Sequence, residues 1–330
     1  MNRKLLSTVI AVVLCLTTFI GVINSGRSQL TLAQSADTVP TVPLPVAPGT
    51  QPAIPQPEPA STACALQPDK GSVQARTQAM LKRRAQLLAS GAFDLSRFRQ
   101  ASKVATQTGD KGALDTAQAD TGYTPREQVA FIDPSNYGDR FLNDINGNPA
   151  DLEPIIVLHE TVGSASSALG MFQAFHRNDD DQVSYHTLIK RDGTLVYLVP
   201  PDKRAFGAGN SAFMGANGLE LVKTHPSFPG SVNNFAYHIS LETPYDGNHN
   251  GYTHSGYTQA QYSSLAWLVA KTGVADERIT THKAVDRSRS RIDPRSFNNT
   301  TFFSLLRAQP RTADIAIRCT DPTRSSVQPQ

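Results

Sequence analysis

A chain of 330 residues allows one or two domains and is too long for a small stapled module. Its 39% hydrophobic and 18% charged residues exclude a fully disordered chain and a coiled-coil rod, and a net charge of +3 with a pI near 8.7 is too mild to argue for nucleic acid. Three cysteines are too few for a disulfide scaffold or a four-cysteine zinc site, and the one long apolar run, at the N-terminus, excludes a polytopic membrane protein.

Arg3 and Lys4 precede an apolar stretch from Leu5 to Ile23, the layout of a secretory signal, with Thr31-Leu32-Ala33 as candidate cleavage residues. The apolar core is long for a signal and the cleavage residues sit well past it, so residues 1–33 are read as a signal peptide or an uncleaved anchor. From Val39 to Pro59 prolines recur every two to four residues, which makes 34–62 an extended linker. Ser72 to Ala105 has a helical pattern, with Val73, Met80, Leu81, Leu87 and Leu88 as an apolar stripe and Lys82, Arg83 and Arg84 on the polar side. Gly91 breaks it, and a second short helix is expected from Leu95 to Val104. Gln107 to Thr124 is polar and reads as a linker, so 63–123 is a helical region and linker without a functional reading.

The folded domain is expected over 124–310, followed by a tail, 311–330. Ile155-Ile156-Val157-Leu158 reads as a buried strand, Ala165 to Phe175 as a helix, and Val183 to Ile189 and Leu195 to Val199 as strands joined by a hairpin turn at Asp192-Gly193. Ala236 to Thr243 is another strand. Thr258-Gln259-Ala260-Gln261 is a capping box opening a helix that Gly273 stops, and Ser296 to Leu306 is the last helix. Strands interleaved with helices define a single α/β layer domain. Cys64 and Cys319 either pair, tying the N-terminal region to the tail, or stay as free thiols.

Of eight histidines, two stand out by placement. His159 directly follows the strand Ile155–Leu158, and strand ends are where open α/β sheets bind ligands. His282 follows the short β-like piece Ile279-Thr280-Thr281, and Asp293 comes soon after, in Arg291-Ile292-Asp293-Pro294. Two neutral imidazoles and one carboxylate leave an open fourth position on a tetrahedral Zn²⁺, as a catalytic zinc site requires. Spacing alone leaves open that His159 is a satisfied structural residue. His249 and His254, in a Gly/Asn/Tyr-rich loop, are expected to be solvated.

The stretches Ile155–Thr161, Val183–Ile189 with Asp192-Gly193, Ala205–Ser211, His238–Glu242, Thr281-His282 and Arg291–Phe297 resemble, in order and spacing, the type-2 N-acetylmuramoyl-L-alanine amidases, the family that includes bacteriophage amidases and the peptidoglycan-recognition proteins. The resemblance covers roughly Asn136 to Leu306. It implies a mixed sheet flanked by helices and a zinc hydrolase that cleaves the amide between the lactyl group of muramic acid and L-alanine. By position, it makes His159, His282 and Asp293 the zinc ligands, matches Glu242 to the catalytic glutamate of the bacterial enzymes, and matches Tyr185 to the tyrosine near the metal in the phage and recognition-protein branch. Arg291 stands where the family usually has lysine, and a fixed cation there would stabilise the oxyanion.

The chain departs from the family pattern at Gly207, often a histidine, at Arg291, at Glu160, and in a gap from His282 to Asp293 one residue longer than usual. The expectation is therefore a zinc amidase of peptidoglycan or its fragments, exported to the periplasm or cell envelope, monomeric, without nucleic-acid contact, and at a membrane only if the N-terminal segment stays uncleaved. The loops Pro244–Gly256 and Ala216–Asn234 are expected to line its groove. A non-catalytic peptidoglycan-binding module of the same fold is the alternative. A zinc hydrolase of another amide is a third reading, although no His-Glu-x-x-His helix is present.

Overall fold

The structure, a computed structural model, describes residues 62–91, 93–100 and 122–321. The signal or anchor segment, nearly all of the Pro-rich linker, the polar linker and the end of the tail lie outside these residues. Among the described residues, no helix is long and apolar enough to cross a membrane.

In chain order the helices are α1 (Val73–Ser90), α2 (Ala165–Gln173), α3 (Gln259–Ala270), α4 (His282–Val285) and α5 (Asn299–Arg307). The strands are β1 (Glu127–Val129), β2 (Tyr137–Asp139), β3 (Ile155–Glu160), β4 (Thr187–Ile189), β5 (Leu195–Tyr197), β6 (Lys203–Ala205), β7 (Phe213–Gly215), β8 (Gly218–Glu220), β9 (Ala236–Leu241) and β10 (Ile279–Thr281). A six-stranded sheet has the order β1-β5-β4-β9-β3-β10, parallel throughout except for the β4–β5 hairpin. This is the mixed sheet flanked by helices that the sequence implies. β3 and β9 are central and wholly buried, which is why they read as continuous apolar runs rather than alternating ones.

The two faces have different work. Ile156, Leu158, Ile239 and Leu241 pack with Leu265, Leu268 and Val269 of α3 and Phe302 and Leu306 of α5 in the main core. Each such side chain removed from water stabilises the fold by roughly 1.5–3 kcal/mol. On the other face, Leu188, Val196 and Leu198 meet Ala165, Ala168 and Phe172 of α2. The capping box forms as the sequence predicts: Thr258 accepts from the Gln261 N–H, and the Gln261 side chain accepts from the Thr258 N–H. The hairpin turns at Gly193, whose φ of 82° favours glycine. The last helix starts later than expected, because Ser296 has a φ of 50° and Asn298 supplies the cap to the Thr301 N–H. Only Thr187–Ile189 of the expected first hairpin strand joins the ladder, since Ser184 and His186 bond instead to Asn136, Phe206 and His238.

Two expectations for the N-terminal region change. Leu95–Arg97 is a single 3-10 turn rather than a helix, and residues 101–104 of that piece lie outside the described residues. The apolar stripe of α1 contributes little to its attachment: Leu87 packs half-buried against the α2 side of the core, but the helix has no buried residue, and Val73 is 68% exposed. Its arginines add the polar anchors. Arg84 pairs in bidentate fashion with Asp133, and Arg83 donates to the Tyr137 carbonyl at 2.6 Å. Further on, Arg97 pairs with Asp202, Arg99 pairs with Glu127, and Phe98 sits fully buried against Tyr197 in the main core. Cys64 and Cys319 are disulfide-bonded, and the Cys64 N–H donates to the Thr320 carbonyl. Residues 62–100 and 311–321 thus pack onto the same body as the sheet.

Candidate metal centre

Register brings the first two candidate ligands together. β10 runs parallel to β3 with Thr281 opposite Leu158, so the next residues, His282 and His159, leave the same sheet end side by side. Their ring centroids are 4.6 Å apart. The loop after α4 is wound around Asp286, whose carboxylate accepts from the N–H groups of Ser288, Ser290 and Arg291, and it returns Asp293 to the same point. His282 Nδ1 is 3.1 Å from the Asp293 carboxylate, and His159 Nδ1 is 3.4 Å from Oδ2 of the same group. One ligand atom from each of the three lies within 4.8 Å of the others, and all three residues are buried.

The electrostatics suit a cation. Burial pushes the His159 imidazole down to about 4, so it is neutral at neutral pH. Burial alone would raise the Asp293 carboxyl, but the two imidazoles beside it outweigh this and hold it well below the usual carboxylate range. His159 Nδ1 faces this centre, is fully buried and has no hydrogen-bond partner, a costly state for a polar atom. Two imidazole nitrogens, that of His159 without a hydrogen-bond partner, and one carboxylate oxygen fit a Zn²⁺ ion.

Tyr185 and Arg291, two other groups expected near the metal, line the groove beside the cluster. Tyr185 stacks on the His159 ring with centroids 4.4 Å apart and meets Phe172 edge-on. Burial raises its phenol well above the ordinary value, so it stays a hydroxyl. Tyr185, His282 and Arg291 all line one groove of about 600 Å³. Glu242 is differently employed. It is 8% exposed, its Oε1 accepts from the Ala165 N–H at 2.9 Å and lies 3.1 Å from the Arg191 guanidinium, and its Oε2 accepts from the Arg191 N–H at 3.0 Å. Both carboxylate oxygens are therefore engaged, and no hydrogen bond joins Glu242 to the three clustered residues.

Of the two loops expected along the groove, one does line it, through Thr224, His225 and Phe228. The other, Pro244–Gly256, is held elsewhere. Arg295 donates to the carbonyls of Gly247, His249 and Gly251, and its Nε donates to Glu160 Oε1 at 2.5 Å. His254, expected to be solvated, has a side chain with no exposure and lies 3.0 Å from Glu160 Oε2. Tyr257 and Thr243 donate to that same oxygen. The residue after the first candidate ligand is thus a buried anchor for the loop that carries the third. Sequence reading missed this anchor, and the signal available was the pairing of a buried-strand glutamate with an arginine two residues after Asp293. It also missed the rim formed by Asp69 and Arg76, from a segment that had no functional reading.

Fold and centre together define an α/β domain with a histidine–histidine–aspartate cluster at the carboxyl ends of its parallel strands. Residues 151–296 match the family described as N-acetylmuramoyl-L-alanine amidase, and this part of the chain is a type-2 amidase domain. No curated protein matches the chain. Among solved structures it is similar to AmpD of Citrobacter freundii, at 24% identity over 57% of this chain and 95% of that one, with a TM-score of 0.35. It is also similar to the N-acetylmuramoyl-L-alanine amidase LysC of Clostridium intestinale, at 19% identity over 56% and 100%, with a TM-score of 0.33. A third is AmpDh3 of Pseudomonas aeruginosa, solved in complex with anhydromuramic pentapeptide, at 17% identity over 43% and 55%, with a TM-score of 0.30.

Proposed function

We propose that the chain is a zinc-dependent N-acetylmuramoyl-L-alanine amidase that hydrolyses the amide between the muramic acid lactyl group and L-alanine in peptidoglycan or its fragments. The observation that carries this reading is the convergence of His159, His282 and Asp293, with His282 on the wall of a groove, inside the stretch that matches the amidase family. Zn²⁺ held there would polarise the scissile carbonyl and make a water acidic enough to attack near neutral pH. His159 and His282 would supply nitrogen lone pairs, and Asp293 the charge that favours a divalent cation at their centre. The Tyr185 hydroxyl, kept protonated by its burial, is a donor beside the reacting carbonyl. Arg291 contributes a permanent positive charge on the groove wall, where negative charge develops on the carbonyl oxygen.

The geometry favours Tyr185 and Arg291 over Glu242 as the groups that work at the carbonyl. Glu242 acts one step back, fixing Arg191 and the start of α2. An exported protein in the periplasm or cell envelope is the setting we propose. The Cys64–Cys319 disulfide supports it, because such bonds persist in oxidising compartments.

The test is the metal content of the purified protein together with the masses of products released from purified sacculi. Free L-alanine-terminated peptides and one zinc per chain are expected, and Asp293→Ala should abolish both zinc retention and release. Full zinc-dependent cleavage by Asp293→Ala would refute the ligand set. Binding to sacculi without release would turn the reading into a non-catalytic module.

A further inference from the structure

The histidine at 238 has no role in the reading above, yet it touches the centre directly. It lies on β9 opposite Val157 of β3, two residue pairs before Ser240 and His159 and so on the same face of the sheet. Its Nδ1 is 2.9 Å from His159 Nε2, with both rings fully buried. His159 therefore uses one nitrogen toward Asp293 and the other toward His238.

The tautomers follow from this arrangement. A cation is bound through a lone pair, so His159 Nδ1 carries no proton and its Nε2 does. That N–H donates to His238 Nδ1, which must then be an acceptor, leaving the His238 proton on Nε2. His238 itself is held at several points. Its backbone N–H donates to His186 Nδ1 at 2.9 Å, its carbonyl accepts from the His186 N–H at 2.9 Å, and the His186 ring stacks on its ring at 11°. The ring has room only because residue 207 is glycine: a Cβ there would lie 2.6 Å from His238 Cγ and Nδ1. This accounts for the departure at Gly207 noted in the sequence. The imidazole that the family often carries at that position is absent, and one from β9 occupies the adjoining space.

We infer that His238 is a positioning residue of the metal centre: its Nδ1 fixes the tautomer and orientation of His159, and Gly207 is the residue that makes this contact possible. The inference rests on the zinc reading of the cluster. Outer partners of ligating histidines are ordinarily carboxylates, backbone carbonyls or waters, and their loss costs roughly 10–100-fold in metal affinity. Here a second imidazole does that work.

The test measures zinc affinity by competition with a chromophoric chelator on the full purified chain, with ring-nitrogen NMR of the zinc-loaded protein to read the His159 tautomer. His238→Leu keeps apolar volume and removes the acceptor, so its affinity should fall by about 10–100-fold. His238→Asn places an amide oxygen near the position of Nδ1 and should restore most of that loss. Gly207→Ala forces the ring away and should mimic His238→Leu. A merely structural role for His238 would not be rescued by asparagine and would not change the His159 tautomer. Wild-type affinity in folded His238→Leu, or equal losses in the leucine and asparagine variants, would overturn the inference while leaving zinc binding intact. If His238→Leu does not fold, the asparagine and Gly207→Ala variants decide. A wild-type protein that binds no zinc sinks the zinc reading and this inference together.

Discussion

Arg295→Met tests the claim that a buried ion pair, and not loop composition, holds the third candidate ligand in place. The side chains of Arg295 and Glu160 are 2% and 0% exposed, so neither charge has water to fall back on. Methionine is apolar and of similar length. It leaves Glu160 with His254, Tyr257 and Thr243 but no guanidinium, strips the His249 and Gly251 carbonyls of their donor, and leaves the Gly247 carbonyl with only the His249 N–H. Breaking one side of a buried pair costs about 3–5 kcal/mol, a large share of the roughly 5–15 kcal/mol that holds a domain together. With a urea m-value near 3 kcal/mol/M, the midpoint should fall by about 1–1.7 M. The measurement is urea unfolding in the presence of a chelator, so that zinc does not add stability of its own. Glu160→Gln combined with Arg295→Met should be less destabilised than the sum of the single variants, because the stranded carboxylate is gone. A loss under about 1 kcal/mol for Arg295→Met, or strict additivity in the cycle, would refute the anchor.

Three further outcomes are expected. Glu242→Gln should lower the urea midpoint and raise the sacculus concentration needed for half-maximal release while leaving turnover within about tenfold; a fall of more than about a hundredfold in turnover at unchanged stability would instead make Glu242 the proton carrier. Reduction of Cys64–Cys319, which spans 255 residues, should cost roughly 5 kcal/mol on the chain-entropy account, and a Cys64→Ser variant whose unfolding midpoint matches the oxidised wild type would contradict this. His186 is fully buried, and its pKa is held well below the ordinary value, by burial first and then by the Arg140 guanidinium. The unfolded state then binds the extra proton, so this stability is complete above pH 6.5 and is lost as pH falls below it, at up to about 1.4 kcal/mol per pH unit. His186→Asn should flatten the slope of metal-free stability between pH 6.5 and 5, and an unchanged slope would count against a neutral buried ring.

How much of this was legible in the sequence depends on how local the cause is. β3, β9, the capping box of α3 and the Asp-Gly hairpin announce themselves within a few residues, through unbroken apolar runs and turn chemistry. The cluster was legible through the family resemblance, with His159 near the end of β3 and His282 directly after β10; placement alone left His159 open to a structural role. Pairings between distant polar groups leave no periodic trace. Arg84 with Asp133, Glu160 with Arg295, and Glu242 with Arg191 join residues that no local pattern connects. For the same reason α1 looked like a helix held by an apolar seam, whereas Arg83 and Arg84 attach it alongside Leu87. His254 looked like a loop histidine because its partner lies on β3.

Three separate devices hold the three candidate ligands, and they would fail in different ways. His159 and His282 are set by one parallel ladder, so a one-residue slip of β10 against β3 would turn the strand's side chains to the opposite face and separate the rings. Asp293 is set by the Asp286 turn on one side and the Glu160–Arg295 pair on the other. That pair runs between the residue after His159 and the residue two beyond Asp293, so it ties the ladder to the loop through atoms that touch neither ring. A variant that weakens this link should lower zinc affinity and global stability together. A variant at His238 acts inside the cluster, and should lower zinc affinity more than it lowers stability.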